Sequence, residues 1–170
     1  MSVRVSLRPI TGEDTDLIVK WRNNPRVREN FVFRETFTRE LHEKWLAEHV
    51  EGARDTVQWI ILTGEAGQEL PVGSVFFRNI DRDADEAEYG IFIGEDNAVG
   101  LGISNQVISM ALERARGELN LKRIVLRVFC DNTPAIRSYE HAGFTVTETR
   151  RHVRCTDGEE RDMYFMEKIL

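Results

Sequence analysis

Two glycines one residue apart, Gly100-Leu101-Gly102, stand directly before Ile103-Ser104 and the start of a strongly helical run. Glycines at this spacing can turn successive backbone N–H groups toward one point. A helix N-terminus adds its positive end, so residues 96–104 are suited to hold an anion such as a phosphate. The same glycines would also serve an ordinary strand-to-helix turn. No Gly-Lys-Ser/Thr follows, so this is not a Walker loop, and the third glycine and acidic residue of a dinucleotide fingerprint are missing. Upstream, strand alternation puts Glu86, Glu88, Gly90 and Phe92 on one face and Ala87, Tyr89, Ile91 and Ile93 on the other. Glu88 is thereby a carboxylate that could accept a proton, or one that simply faces solvent in an acidic run. Downstream, Asn132 precedes Thr133-Pro134 and a short amphipathic helix carrying Ile136 and Tyr139. By position alone Asn132 is a helix cap and Tyr139 a core residue.

These residues need a frame. The chain has 170 residues, enough for one domain with a sizeable core. Its formal charge of −6 argues against a nucleic-acid binder. The longest apolar runs, such as Trp59-Ile60-Ile61-Leu62, are far short of the ~20 residues of a membrane span. The start, Met1-Ser2-Val3-Arg4-Val5, lacks a signal-peptide core, so a cytoplasmic location is expected. Cys130 and Cys155 form no CxxC pair, and His42, His49, His141 and His152 show no zinc-ligand spacing, so no metal is expected. Periodicity predicts a strand over 3–8 and a helix from Thr11 that ends at Asn23-Asn24-Pro25. A second helix is predicted over 38–50, and strands over 57–62, 72–80 and 87–93. A long helix over 103–119, a strand over 123–129, the short helix from Pro134 and a terminal hairpin follow. The order β α α β β β α β α β β describes a mixed α/β domain.

The two glycine- and asparagine-bearing segments together resemble the GNAT superfamily of N-acetyltransferases. That family's loop reads Gln/Arg-x-x-Gly-x-Gly/Ala, matched here at Asn97, Gly100 and Gly102, with Asn97 departing from the usual side chain. Its later segment, Asn-x-x-Ala-x-x-x-Tyr-x-x-x-Gly-Phe, is matched at Asn132, Ala135, Tyr139, Gly143 and Phe144. Leu7-Arg8-Pro9 and Trp21-Arg22-Asn23-Asn24-Pro25 are similar to the branch containing ribosomal-protein N-terminal, spermidine and amino-sugar acetyltransferases. The resemblance implies a single α/β (α+β) domain over 1–170, with a central mixed, mostly antiparallel twisted sheet flanked by helices.

The resemblance also implies a chemistry: direct attack of an acceptor amine on acetyl-CoA in a ternary complex, without metal or protein nucleophile. It makes Tyr139 the general acid toward the leaving thiol and Glu88 the general base, directly or through water. It assigns the backbone of Ile91, Phe92 and Ile93 to the pantetheine arm, and has Gly94 mark where that strand parts from the next. Asn97, Val99, Gly100, Leu101, Gly102, Ile103 and Ser104 would hold the pyrophosphate. Asn132 would meet the pantetheine or an ordered water, and Arg137 would lie near the coenzyme. Arg22, Asn23 and Phe31 would help form the acceptor pocket. With one carboxylate base, a low-pKa acceptor is expected: an amino sugar or a protein N-terminal α-amine rather than a polyamine. The family also accommodates a homodimer. A non-catalytic acyl-CoA sensor or interaction module is the rival reading, against which Tyr139 and the full glycine loop argue.

Overall fold

The computed structural model describes residues 2–170. Its strands are β1 (Val5–Pro9), β2 (Val57–Thr63), β3 (Leu70–Asp81), β4 (Glu86–Ile93), β5 (Arg123–Phe129), β6 (Thr145–Arg154) and β7 (Glu160–Ile169). They form one sheet in the order β1-β2-β3-β4-β5-β7-β6, antiparallel throughout except where β4 meets β5. The helices are α1 (Thr15–Asn23), α2 (Pro25–Arg28), α3 (Arg39–Trp45), α4 (Ile103–Gly117) and α5 (Thr133–His141). A π-helical segment, Leu46–Gly52, extends α3.

Alternation along β4 divides the core in two. Ala87 and Tyr89, with Ile91 and Ile93 at its margin, pack with Ile103, Val107 and Ala111 of α4 and with Tyr139 of α5. Phe92 points to the opposite side, with Phe76, Ile60, Ile18 and Trp21, beneath α1 and α3. The sheet is thus covered on both faces, as period-2 patterning in a doubly buried strand requires.

Pro25 ends α1, but the chain does not then run into a loop. The Asn24 side chain accepts from the Arg26 N–H at 3.0 Å, and proline occupies the first helical position, so the one-turn α2 starts at once. This element went unseen in the sequence because the same Asn-Pro pair signals both a stop and a start.

The decisive irregularity lies between β4 and β5. Their parallel pairing covers only Glu86–Glu88 against Arg123–Val125. Beyond Glu88, β4 stays with β3 as far as Ile93 opposite Gly73, while β5 stays with β7 as far as Phe129 opposite Met163. The two strands therefore part after Glu88, not at Gly94 as expected. Gly94 is glycine for another reason: a Cβ there would lie 2.0 Å from the Trp21 ring.

Candidate active site

A cleft of about 1150 Å³ occupies the gap between β4 and β5, and side chains from both faces of the sheet line it. Its coenzyme-sized end is built mainly from backbone. Gly100 and Gly102 have φ of +81° and +74°, the left-handed region that glycine adopts without strain. A Cβ at either would meet nothing within 4 Å, so the loop borders open space. No side chain caps α4, and its first bond runs from the Gln106 N–H to the Gly102 carbonyl at 3.5 Å. The amides ahead of that bond are free to bind an anion. Val99, Gly100, Gly102, Ile103 and Ser104 line the cleft, as do Ile91, Phe92 and Ile93, whose strand has no β5 partner there. These features suit a pyrophosphate and an extended amide-bearing arm. Asn97 and Leu101 are exposed and lie outside the lining.

On the other side of the gap, α5 presents Tyr139, Asn132 and Arg137. The Tyr139 ring packs edge-on against Tyr89 at 6.2 Å and Phe144 at 6.1 Å. Burial pushes its phenol up to about 12, so the hydroxyl remains a donor at neutral pH. Asn132 stands at the N-cap of α5 but its side chain makes no capping bond; its amide donates to Asn30 Oδ1 at 3.3 Å across the cleft. Arg137 is exposed at the cleft margin.

Glu88 sits where the strands part and is only 8% exposed. Its carboxylate accepts from Arg78 Nε at 2.7 Å and Nη2 at 3.2 Å, from Asn79 Nδ2 at 3.3 Å and from Arg127 Nε at 2.6 Å. A bulge in β3 makes this possible. Two residues, Asn79 and Ile80, oppose Ala87 alone, and Asn79 takes φ 52°, turning its amide onto Glu88. Burial favours the neutral acid, but the Arg78 and Arg127 guanidiniums prevail and hold the carboxyl below its usual range. Glu88 is therefore ionised and a weak base.

The acceptor-sized end is built from side chains of α1, α3 and the loop between α2 and α3. Arg22 projects from α1 with its guanidinium 3.9 Å from the centroid of Phe31 and 4.5 Å from that of Phe37. Asn23 does not line the cleft. Its amide donates to the Phe37 carbonyl and its oxygen accepts from the Phe37 N–H, both at 2.8 Å, so it straps the loop that carries this wall. Arg34 holds the same loop from the other side, donating to the Phe31 carbonyl and to Glu159 near the β6–β7 turn. His42, which the sequence offered no reason to select, also lines this end. It is 1% exposed, and its Nε2 has no hydrogen-bond partner among the described residues. Burial, reinforced by the nearby Arg22 charge, lowers its pKa to about 4, so the imidazole is neutral at pH 7. Tyr89 is a second such group. Its hydroxyl is buried, unpartnered and beside Tyr139, and burial raises its pKa well above the ordinary phenol value. Only tertiary contacts single out these two residues.

The GNAT acetyltransferase domain model matches residues 4–145, and the chain belongs to that family. It is 30% identical over 149 residues to a Methanocaldococcus jannaschii protein, covering 87% of this chain but only 29% of that much longer relative. It is 26% identical over 172 residues to the N-acetyltransferase p20 of Bacillus licheniformis, covering 95% of this chain and 90% of that one. Its fold is similar to that of the Vibrio cholerae spermidine N-acetyltransferase in complex with CoA and spermine. The TM-score is 0.88 at 22% identity, with 97% of this chain and 95% of that one covered. Among the described residues, no helix is long and apolar enough to cross a membrane.

Proposed function

We propose that this chain, over 1–170 as one domain in the cytoplasm, transfers an acetyl group from acetyl-CoA to an acceptor amine. The observation that carries this is the single cleft in which the free amides around Gly100 and Gly102, the unpaired margin of β4 and the Tyr139 hydroxyl meet. The loop amides and Ser104 hold the pyrophosphate, and Ile91 to Ile93 align the thioester arm. Acetyl-CoA supplies an activated acyl group. The amine nitrogen attacks its carbonyl, a C–N bond forms and the C–S bond breaks. The nitrogen loses a proton and the sulfur gains one, giving an amide and a free thiol.

Tyr139 assists the departing sulfur. A phenol near 12 is a weaker acid than an ordinary thiol at about 8.5, so its main contribution is a hydrogen bond donated to the developing thiolate. Glu88 takes the amine proton, directly or through water. Because its arginine partners keep it a weak base, the ammonium it serves must itself be easily deprotonated. A lysine-like amine near 10.4 costs about 4.6 kcal/mol to neutralise at pH 7, an α-amine near 7.8 only about 1.1 kcal/mol. The acceptor is accordingly an amino sugar or a protein N-terminal α-amine, with Arg22 and Phe31 in its pocket, rather than a polyamine.

The test is acetyl-CoA consumption with free-thiol release in the presence of spermidine, an amino-sugar nucleotide or a short peptide with a free N-terminus. Amine-dependent thiol release with kcat/KM highest for one of the latter two is expected. Saturable acetyl-CoA binding without amine-dependent release would instead favour a sensor, and a clear preference for spermidine would overturn the ranking of acceptors.

A further inference from the structure

We infer that the acceptor end of the cleft is an anion subsite: the amine taken here carries an acidic group, carboxylate or phosphate, that Arg22 binds with His42 and Arg78 beside it. This rests on the acetyltransferase reading and names the class of its acceptor.

The charge inventory is the first argument. The chain is net negative, yet its main cleft is lined by five arginines, Arg22, Arg26, Arg78, Arg127 and Arg137, and by one carboxylate, Glu88. That carboxylate is fully engaged by Arg78, Arg127 and Asn79. Asp96 pairs with Arg26 from outside the lining, Arg78 and Arg127 share Glu88, and Arg137 is exposed on α5, so Arg22 is the arginine of the acceptor end with no carboxylate against it among the described residues.

The second argument is Arg22 itself. It forms no ion pair and donates no hydrogen bond to any acceptor among the described residues, whereas Arg78 and Arg127 pair with Glu88 and Arg26 with Asp96. The rings of Phe31 and Phe37 attract its charge but cannot accept the five N–H bonds of a guanidinium. Desolvation, with the neighbouring Arg78 charge, lowers its pKa to about 10, which still leaves it cationic at pH 7. A half-buried guanidinium with no counter-charge has lost part of its hydration without gaining an acceptor, and a bound anion would offset that loss. Neighbouring groups reinforce the point: His42 is neutral and has an unpartnered Nε2, and Asp14, the carboxylate near His42, is bound bidentately by Arg8. The Arg26 Nη2, also on the lining, is likewise buried and unpartnered.

A polyamine has the wrong charge for this chamber. An amino acid or a phosphorylated amino sugar has the right one, with the acid on Arg22 and the amine directed to the gap beside Glu88. Matched acceptors separate these cases, with kcat/KM expressed per unprotonated amine because an amino acid is more basic than its amide: L-phenylalanine against L-phenylalaninamide, glucosamine 6-phosphate against glucosamine, and spermidine as the cationic arm. In at least one pair the acidic member should show kcat/KM higher by roughly tenfold or more, the yield of one charge-assisted hydrogen bond. Which pair responds tells carboxylate from phosphate. Arg22→Gln should collapse that ratio toward one, mainly through KM, and Arg22→Lys should restore part of it. Saturable acetyl-CoA binding shows that each variant is folded. Equal turnover of acidic and neutral partners, a preference for spermidine, or a ratio that survives in Arg22→Gln would overturn the subsite. If no amine is acetylated, calorimetry of the CoA-loaded protein with L-phenylalanine, glucosamine 6-phosphate and inorganic phosphate decides. Binding lost in Arg22→Gln would keep the subsite while the transferase reading fails, and absence of binding would sink the subsite as well.

Discussion

The two ends of the cleft are made of different material. At the coenzyme end the contacts offered are backbone: the amides around Gly100 and Gly102 and the margin of β4 that β5 has left. At the acceptor end they are side chains drawn from separated segments, Arg22 on α1, Phe31 and Phe37 on a loop, His42 on α3 and Arg78 on β3. A backbone cradle is indifferent to side-chain identity and loses little folding free energy, because those amides lie at a helix terminus and a strand edge anyway. A chamber with a half-buried, unpaired Arg22 and a buried, unpartnered His42 is selective and costly, because each opposes folding until a ligand satisfies it. Generality is thus built at one end and selectivity at the other, with Tyr139 and Glu88 at the junction.

The junction should respond most strongly. Tyr139→Phe keeps the ring packing against Tyr89 and Phe144 but removes the donor, so kcat should fall by about 10²–10³-fold with little change in acetyl-CoA affinity. Turnover equal to the parent, with chemistry rate-limiting, would reduce Tyr139 to a packing residue.

The cost of the acceptor end can be read as stability. His42 has a folded pKa of about 4 against 6.5 unfolded. As pH falls through 6.5 the unfolded chain takes up a proton that the folded chain refuses until about 4, so the His42 contribution to stability declines across that window and levels off below it. The loss should be on the order of 2–3 kcal/mol, measured by urea unfolding at pH 7 and pH 4. His42→Gln should flatten that segment of the profile whatever its absolute stability, and an unchanged slope would mean the imidazole is not held neutral.

The backbone end has its own test. Gly102→Val places a β-branched residue at φ +74°, a strain of about 1–3 kcal/mol, and projects it into the open space in front of the loop. Acetyl-CoA affinity should drop tenfold or more by calorimetry, and an unchanged affinity in a folded variant would move the pyrophosphate elsewhere. The smallest effect belongs to Asn97→Ala. Asn97 is exposed and off the lining, so coenzyme affinity should change by less than about twofold. A larger loss would show that a side chain contributes to what is otherwise a backbone cradle.

Apart from the one-turn α2, the order of strands and helices and the glycine loop were legible in the sequence because their causes are local. Period-2 alternation told the Glu88 face of β4 from the Tyr89 face, 3.6-residue periodicity marked α4, and two glycines announced positive φ before it. What only the tertiary structure decided depends on residues distant in sequence. The parting of β4 from β5 after Glu88 follows from each strand keeping its other partner, and Gly94 answers to Trp21 rather than to that gap. The weak basicity of Glu88 needed Arg127, 39 residues away, and a bulge at Asn79. Asn23, a pocket residue by sequence, became a strap because Phe37 folds back onto it. Dihedral preference and periodicity belong to a stretch of chain, whereas desolvation and charge balance belong to a place in space that several stretches must meet to create.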